Sequence, residues 1–208
     1  MNVKRIGMFG GAFDPPHQTH AALIEAAVDQ LQLDEVKVIP TGDAWHKTRK
    51  LTLAAHRLAM ARLAFAHLAH VTVDSRETLR SGPSYTVDTL LELQGENQGV
   101  ELFLIIGGDQ AQALPQWHQS EVIRQLAIIC VAERADSTGT SPPFYAKSLP
   151  NQHLNHPSSH ASRVLKMPLS AISASTIRAL VADHQDVVSL VGEPVARYIA
   201  FHHLYQTA

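Results

Sequence analysis

Apolar positions along the chain follow two rhythms. Short, nearly continuous apolar runs at 3–9, 36–39, 71–73, 101–106, 127–132 and 163–167 predict strands. Between them the spacing lengthens. Ile24, Val28 and Leu31 fall at i, i+4 and i+7, and Leu58, Ala61, Phe65 and Leu68 make a second stripe, so each set covers one helical face. Residues 84–94 carry Val87, Leu90 and Leu91 ahead of Gly95 and predict a third helix, and 175–182 and 194–202 predict two more. Strands with so little polar alternation are buried on both faces. Their alternation with helices predicts βαβ units and an α/β fold, a doubly wound parallel sheet with helices on both faces. An antiparallel alternative would need hairpin turns, and no Asn-Gly or Asp-Gly separates two apolar runs.

Composition narrows the class. A chain of 208 residues is long enough to build one domain with its own core. Apolar residues make up 45% and charged residues 17%, which excludes a wholly disordered chain. Seventeen basic against nineteen acidic residues leave a net charge of −2, so no bulk polycation is available to hold nucleic acid. The one cysteine, Cys130, lies in an apolar run and reads as a small buried hydrophobe rather than a reactive thiol. No apolar stretch reaches the roughly 18 residues of a membrane span, and the chain enters its first strand without a signal-peptide pattern, so a cytoplasmic protein is expected. Residues 135–162 depart from the rhythm. They are rich in Ser, Thr, Pro, Asn and His and predict a polar loop or insertion. Their His153, His156 and His160 have neither carboxylates nor helical spacing, which favours a solvated loop over a metal site. The expected organisation is a single domain over 1–208, with that loop and a C-terminal helical part at 172–205.

Two segments carry chemistry. The first strand runs into Gly10-Gly11-Ala12-Phe13-Asp14-Pro15-Pro16-His17-Gln18-Thr19-His20, where a helix begins. Glycines let backbone N–H groups approach an anion, and a helix N-terminus adds orphan donors and partial positive charge. His17 and His20 are three apart and can project to one side, as two more donors for phosphate oxygens. Asp14 reads as a structural carboxylate tying down loop N–H groups. Near the other end, Ile172-Ser173-Ala174-Ser175-Thr176-Ile177-Arg178 puts hydroxyls at a helix start, with Ser173 or Ser175 as N-cap and an Arg fork one turn on.

The first segment resembles the G-G-[ST]-F-D-P-x-H-x-G-H signature, and the second resembles I-S-[ST]-T-x-I-R, both of the HxGH-type nucleotidyltransferase superfamily. Pro83-Ser-Tyr-Thr-Val-Asp-Thr-Leu90, Ile105-Ile-Gly-Gly-Asp109, Leu114-Pro-Gln-Trp117, His46-Lys47 and His202-His-Leu-Tyr205 are similar to elements of the bacterial nicotinate-nucleotide adenylyltransferase family. The resemblance implies a Rossmann-like sheet. It also implies transfer of AMP from ATP to nicotinate mononucleotide by direct in-line attack, with magnesium (Mg2+) accompanying ATP. It assigns Gly10, Gly11, Ala12, Phe13, His17, His20, Ser175 and Arg178 to ATP, and Gly107 and Asp109 to its adenosine side. Lys47 would bridge phosphates, and Tyr85, Thr86 and Trp117 would receive the pyridine mononucleotide. His17, His20, Lys47 and Arg178 are thus the catalytic candidates, with no protein metal ligand expected. Trp117 reads equally as a core aromatic, Asp109 as a helix cap and Lys47 as plain solvated charge.

Four positions depart from the family pattern. Thr19 replaces the glycine between the histidines, Ala12 replaces a hydroxyl residue, Ala44-Trp45 replaces Pro-Pro, and Ala174-Ser175 stands for Ser-Thr. They leave open the same chemistry on nicotinamide mononucleotide or another phosphate acceptor, or a weakened module that senses nucleotides. Class I aminoacyl-tRNA synthetases share the HxGH logic, but this chain is too short and too weakly basic to favour tRNA.

Overall fold

The computed structural model describes residues 3–42, 51–134, 162–167 and 172–206. Lys47 and the Ala44-Trp45 departure lie outside them, as does nearly all of the predicted polar loop. Six strands, β1 (Arg5–Gly11), β2 (Glu35–Pro40), β3 (Val71–Val73), β4 (Glu101–Gly107), β5 (Ala127–Arg134) and β6 (Arg163–Met167), form one sheet in the order β3-β2-β1-β4-β5-β6. Every pairing is parallel. This is the doubly wound arrangement expected from the alternating pattern. The helices are α1 (Gln18–Leu31), α2 (Ala54–Phe65), α3 (Arg76–Leu79), α4 (Thr86–Glu96), α5 (Gly108–Ala113), α6 (Ser120–Leu126), α7 (Ala174–Ala182), α8 (Val188–Val191) and α9 (Glu193–Phe201).

Strand side chains alternate between two cores, as a period of two requires. Phe103 and Ile105 of β4 join Phe9, Val38 and Cys130 under Ile24, Ala27 and Leu31 of α1 and Phe65 of α2. Leu102, Leu104 and Ile106 point the other way, to Val87, Leu90 and Leu93 of α4 and Ile123 of α6. Cys130 is fully buried, and burial pushes its thiol up to about 12, so it packs as the hydrophobe its neighbours predicted. A third cluster joins Met60 of α2 to Ile177, Val181, Val195 and Ile199 of the C-terminal helices. Helix α2 is therefore buried on two sides. That explains why its buried positions are Arg57, Met60, Ala61 and Phe65 rather than the single stripe through Leu58 and Leu68 that periodicity predicted. Helices α3, α6 and α8 were not anticipated, and α5 only through the cap reading of Asp109. None exceeds seven residues, so none shows two full turns of pattern. No described helix is long and apolar enough to cross a membrane.

The order reverses direction at β1 and β4, which lie side by side with Phe9 opposite Ile105. Crevices outside the carboxyl ends of such a strand pair are where open α/β sheets take ligands. The sheet's opposite end is closed by charge. Glu35 meets Lys4 Nζ at 3.1 Å, Lys37 Nζ at 2.5 Å and the Thr72 hydroxyl at 3.0 Å. Burial works to raise its pKa, but these contacts outweigh it and hold the carboxyl at about 2, below the ordinary 4.5. A depressed value stabilises the fold above pH 4.5, and the contribution disappears as pH falls toward 2. Glu35→Gln should therefore melt below the wild type at pH 7, and the gap should shrink progressively below pH 4.5. Thermal melts across that range check it; a gap independent of pH contradicts it.

Candidate active site

Strand β1 ends at Gly11, and the chain then turns through Ala12–Pro16, with a cis Asp14-Pro15 peptide, into α1. His17 is the N-cap of α1. Its backbone N–H donates to His20 Nδ1 at 3.1 Å, which closes the helix start from the outside. A ring nitrogen that accepts a hydrogen bond carries no proton, so the proton of a neutral His20 sits on Nε2. The two imidazoles stack with centroids 3.8 Å apart and planes 28° apart. His17 is 5% exposed and His20 half-buried. The side chain of Phe13 is not at the surface of the site. It is buried edge-on between His20, Phe9 and Phe65 and props the imidazole from behind. Its contribution to a ligand site is thus confined to its backbone.

The turn is held by two buried charges. Arg57 is 1% exposed and donates to three carbonyls: Ala12 at 2.9 Å, Gly42 at 3.1 Å and Thr52 at 2.8 Å. Asp14 is 2% exposed. Its carboxylate accepts from the Tyr205 hydroxyl at 2.7 Å and the Thr52 N–H at 3.3 Å, and its carbonyl accepts from Arg178 Nη1 at 2.7 Å. Asp14 does have the structural role its place in the loop suggested, but it ties down distant segments instead of its own loop. Burial and the Asp14 charge push the Tyr205 phenol well above the usual range, so it remains a donor.

Arg178 brings the second signature to the first. Helix α7 starts at Ser173, whose Oγ accepts from the Thr176 N–H at 3.2 Å and lies 2.9 Å from Ser175 Oγ. Ser173 is therefore the N-cap, and the Ser175 hydroxyl stands exposed beside it.

A cleft of about 580 Å³ opens at the carboxyl ends of β1 and β4. Gly10, Gly11, Ala12, His17 and His20 line one end of it, Tyr85 and Thr86 another, and Gly107 and Trp117 its remaining wall. A Cβ built on Gly10 would meet only Met8 Cε, at 3.9 Å, and one on Gly107 would meet nothing within 4 Å. Protein packing does not require glycine at either position; the free space faces the cleft. Trp117 is half-buried against the α4–α6 core, as its core reading expected, and it also lines the cleft. Thr19 is buried in the first turn of α1 and lines the cleft as well. Asp109 does not: it is exposed in the first turn of α5, whose N-cap is Gly107 without a side-chain cap. Ser175 and Arg178 stand outside the cleft lining, with Arg178 directed at the turn.

This geometry matches a known lineage. The Cytidylyltransferase-like family model covers residues 8–180. A protein of Albidiferax ferrireducens named "Probable nicotinate-nucleotide adenylyltransferase" is 59% identical over 208 residues, covering 99% of this chain and all of that protein. The chain belongs to the nicotinate-nucleotide adenylyltransferase family. A Pseudomonas aeruginosa relative of the same name is 38% identical, with 98% of each chain covered. At the level of fold, the chain is similar to Plasmodium falciparum nicotinic acid mononucleotide adenylyltransferase complexed with NaAD, with a TM-score of 0.74 at 16% identity over 97% of each chain.

Sequence reasoning missed three side chains at the site: Arg57, which holds the turn beside the cleft, and Glu77 and His118, which line it. Arg57 hides in a helical stripe where arginine reads as surface. Glu77 lines the cleft from a helix too short to predict. His118 lines it too and stacks on Tyr85 at 4.3 Å; its place directly after Trp117 was the available signal. Arg57→Met removes three charge-assisted hydrogen bonds and should lower stability by at least about 3 kcal/mol in urea titration, with Arg57→Lys recovering only part because an ammonium cannot span three carbonyls. A wild-type midpoint for Arg57→Met would contradict the role.

Proposed function

We propose that the chain transfers AMP from ATP to nicotinate mononucleotide, giving nicotinate adenine dinucleotide and pyrophosphate in NAD biosynthesis. The observation that carries this is the imidazole pair at the N-terminus of α1, set beside two glycines with open Cβ positions at the β1–β4 switch point. Helix N-termini attract anions, and the glycines leave room for a nucleotide to approach the backbone. Tyr85, Thr86 and Trp117, in the same cleft, supply an aromatic and hydroxyl surface for a pyridine nucleotide. The Plasmodium falciparum structural relative complexed with NaAD supports the same substrate class.

A phosphate oxygen of the mononucleotide attacks the α-phosphorus of ATP. The new P–O bond forms as the bond to the bridging oxygen of the β-phosphate breaks, and its electrons leave with pyrophosphate. The nucleophile is already anionic, so no general base and no covalent enzyme intermediate are required. Catalysis is alignment plus neutralisation of charge at the five-coordinate phosphorus. His20 Nε2 and His17 are the donors for the triphosphate. Arg178 and Ser175 serve its departing end from α7, and Lys47 adds a cation from the segment after β2. Asp109 is retained for the adenosine side, where its exposed carboxylate would meet ribose hydroxyls.

Magnesium enters as part of the substrate. Among the described residues no group of three or more His, Cys, Asp or Glu is placed to hold a metal. The phosphate end of the cleft offers N–H donors, which suit phosphate oxygens and not a hard cation. In this reading the ion accompanies ATP.

Purified protein given ATP, magnesium and nicotinate mononucleotide should release pyrophosphate and form the dinucleotide. Nicotinamide mononucleotide, run in parallel, should be the poorer acceptor. ATP binding without turnover on either would replace the enzyme reading with a sensor. Two variants test the assigned parts. His20→Ala should lower kcat by about 10²-fold, the usual loss for one transition-state donor; an unchanged rate removes His20 from the chemistry. Gly10→Val adds a β-branched side chain in a strand with space for it. It should melt near the wild type yet raise the KM for ATP at least about tenfold, or about 1.4 kcal/mol; an unchanged KM would show that the space is not used.

A further inference from the structure

The function above uses no residue of α3, yet that short helix puts a buried carboxyl group into the cleft wall. Glu77 is 6% exposed and lines the cleft together with Thr41, Ser84, Tyr85 and Thr86. Three contacts join it to the elements on either side. Its Oε1 accepts from the Thr89 hydroxyl at 2.8 Å. Its carboxyl is also hydrogen-bonded to the Thr41 side chain, just after β2. Its backbone carbonyl packs so tightly on Gly42 that a Cβ there would lie 2.0 Å from the oxygen. Thr89 is fully buried one turn beyond Tyr85, and its N–H donates to the Tyr85 carbonyl at 3.4 Å.

Helix α4 packs on the sheet through Val87, Leu90 and Leu93. Apolar contact is non-directional, so the heading of the helix is left to its polar contacts: the exposed pairs of Arg76 and Arg80 with Glu92 and Glu96 farther along, and the Thr89 hydroxyl near its start, which meets Glu77 and, at 3.3 Å, Arg80. A buried hydrogen bond at one point of its circumference fixes that heading. We propose that Glu77 is a positioning residue for the acceptor: by gripping Thr89 and Thr41 together, it sets the heading of the first turn of α4 and hence of Tyr85 and Thr86. The ATP end of the cleft is held by Arg57 and Asp14 and adjoins this grip through the backbone at Thr41 and Gly42, whose bonds to Gly11 and Arg57 do not use the Glu77 carboxyl. The inference rests on the acceptor assignment made above.

Its signature is a split between the two substrates. Glu77→Ala should raise the KM for nicotinate mononucleotide about tenfold or more and leave the KM for ATP within about twofold of wild type. Thr89→Val keeps the shape of the side chain, removes the donor and should shift the acceptor KM in the same direction. Glu77→Gln keeps an acceptor oxygen for Thr89 and an N–H for Thr41, and should return the acceptor KM to within about threefold of wild type. Steady-state kinetics in both substrates, with melting temperatures for each variant, decide it. Equal changes in both KM values, or a lowered melting temperature with both KM values unchanged, overturn the proposal. If Glu77→Ala does not fold, an unchanged acceptor KM in Thr89→Val overturns it alone. A wild-type protein that makes no dinucleotide from this acceptor would overturn the acceptor assignment itself, and the positioning role with it. That failure is visible before any variant is made.

Discussion

Burying a charge costs several kcal/mol unless its hydrogen-bonding capacity is filled, and this molecule buries Asp14 of the turn between β1 and α1 and, against the same turn, Arg57 of α2. That constraint organises the site. The guanidinium is satisfied only when the Ala12, Gly42 and Thr52 carbonyls converge on it. The Asp14 carboxylate is satisfied only when Thr52 and Tyr205 are in place. Segments separated by as many as 191 positions in the chain are thereby made to agree on one geometry for the turn between β1 and α1. The C-terminal helices have a functional consequence for this reason: they bring Arg178 and Tyr205 to a loop that the sheet alone would leave loosely specified.

The same turn carries the imidazoles. Phe13, in the left-handed region with φ 48°, directs its ring into the core, where it braces His20. The His17 N–H occupies the inner nitrogen of that ring and leaves the outer one to donate. A pre-set donor needs no reorganisation when charge develops on phosphorus, which is the economy that electrostatic catalysis exploits. The sheet contributes position: β1 and β4 end side by side, and their terminal glycines keep the approach to the backbone clear.

Much of this could be read from the chain, and what could not has physical reasons. The inner strands β1, β2, β4 and β5 are buried on both faces and announce themselves as apolar runs, and the partly exposed edge strands β3 and β6 still carry short ones, so all six were legible and the parallel sheet followed from their alternation with helices. Gly10–His20 and Ser173–Arg178 were legible as a glycine-rich turn into a helix and as a hydroxyl-capped helix start, and helices begin at both. Arg57 was not, since a periodicity reading treats every arginine as solvent-facing, and only the three-dimensional meeting of three carbonyls makes its burial affordable. The single stripe expected on α2 was incomplete for a related reason: Ala61 and Phe65 are buried and Leu68 packs on the same core, but a helix packed on two sides has no one apolar face. Glu77 was illegible because a four-residue helix has no period, and its partners Thr41 and Thr89 come from two other elements. Which hydroxyl caps α7 was equally open until geometry selected Ser173. For Asp14, the structural role was legible but its partners were not, because they come from other parts of the chain.

The account depends on His20 presenting a protonated Nε2 to the triphosphate. Nitrogen-15 NMR of histidine-labelled protein measures this directly, through the long-range couplings that distinguish the two ring nitrogens. In the free protein the neutral His20 ring should be the Nε2–H tautomer, and magnesium-ATP should shift that nitrogen while Nδ1 continues to accept from the His17 N–H. A ring protonated at Nδ1 alone, or an Nε2 resonance indifferent to saturating nucleotide, would contradict it.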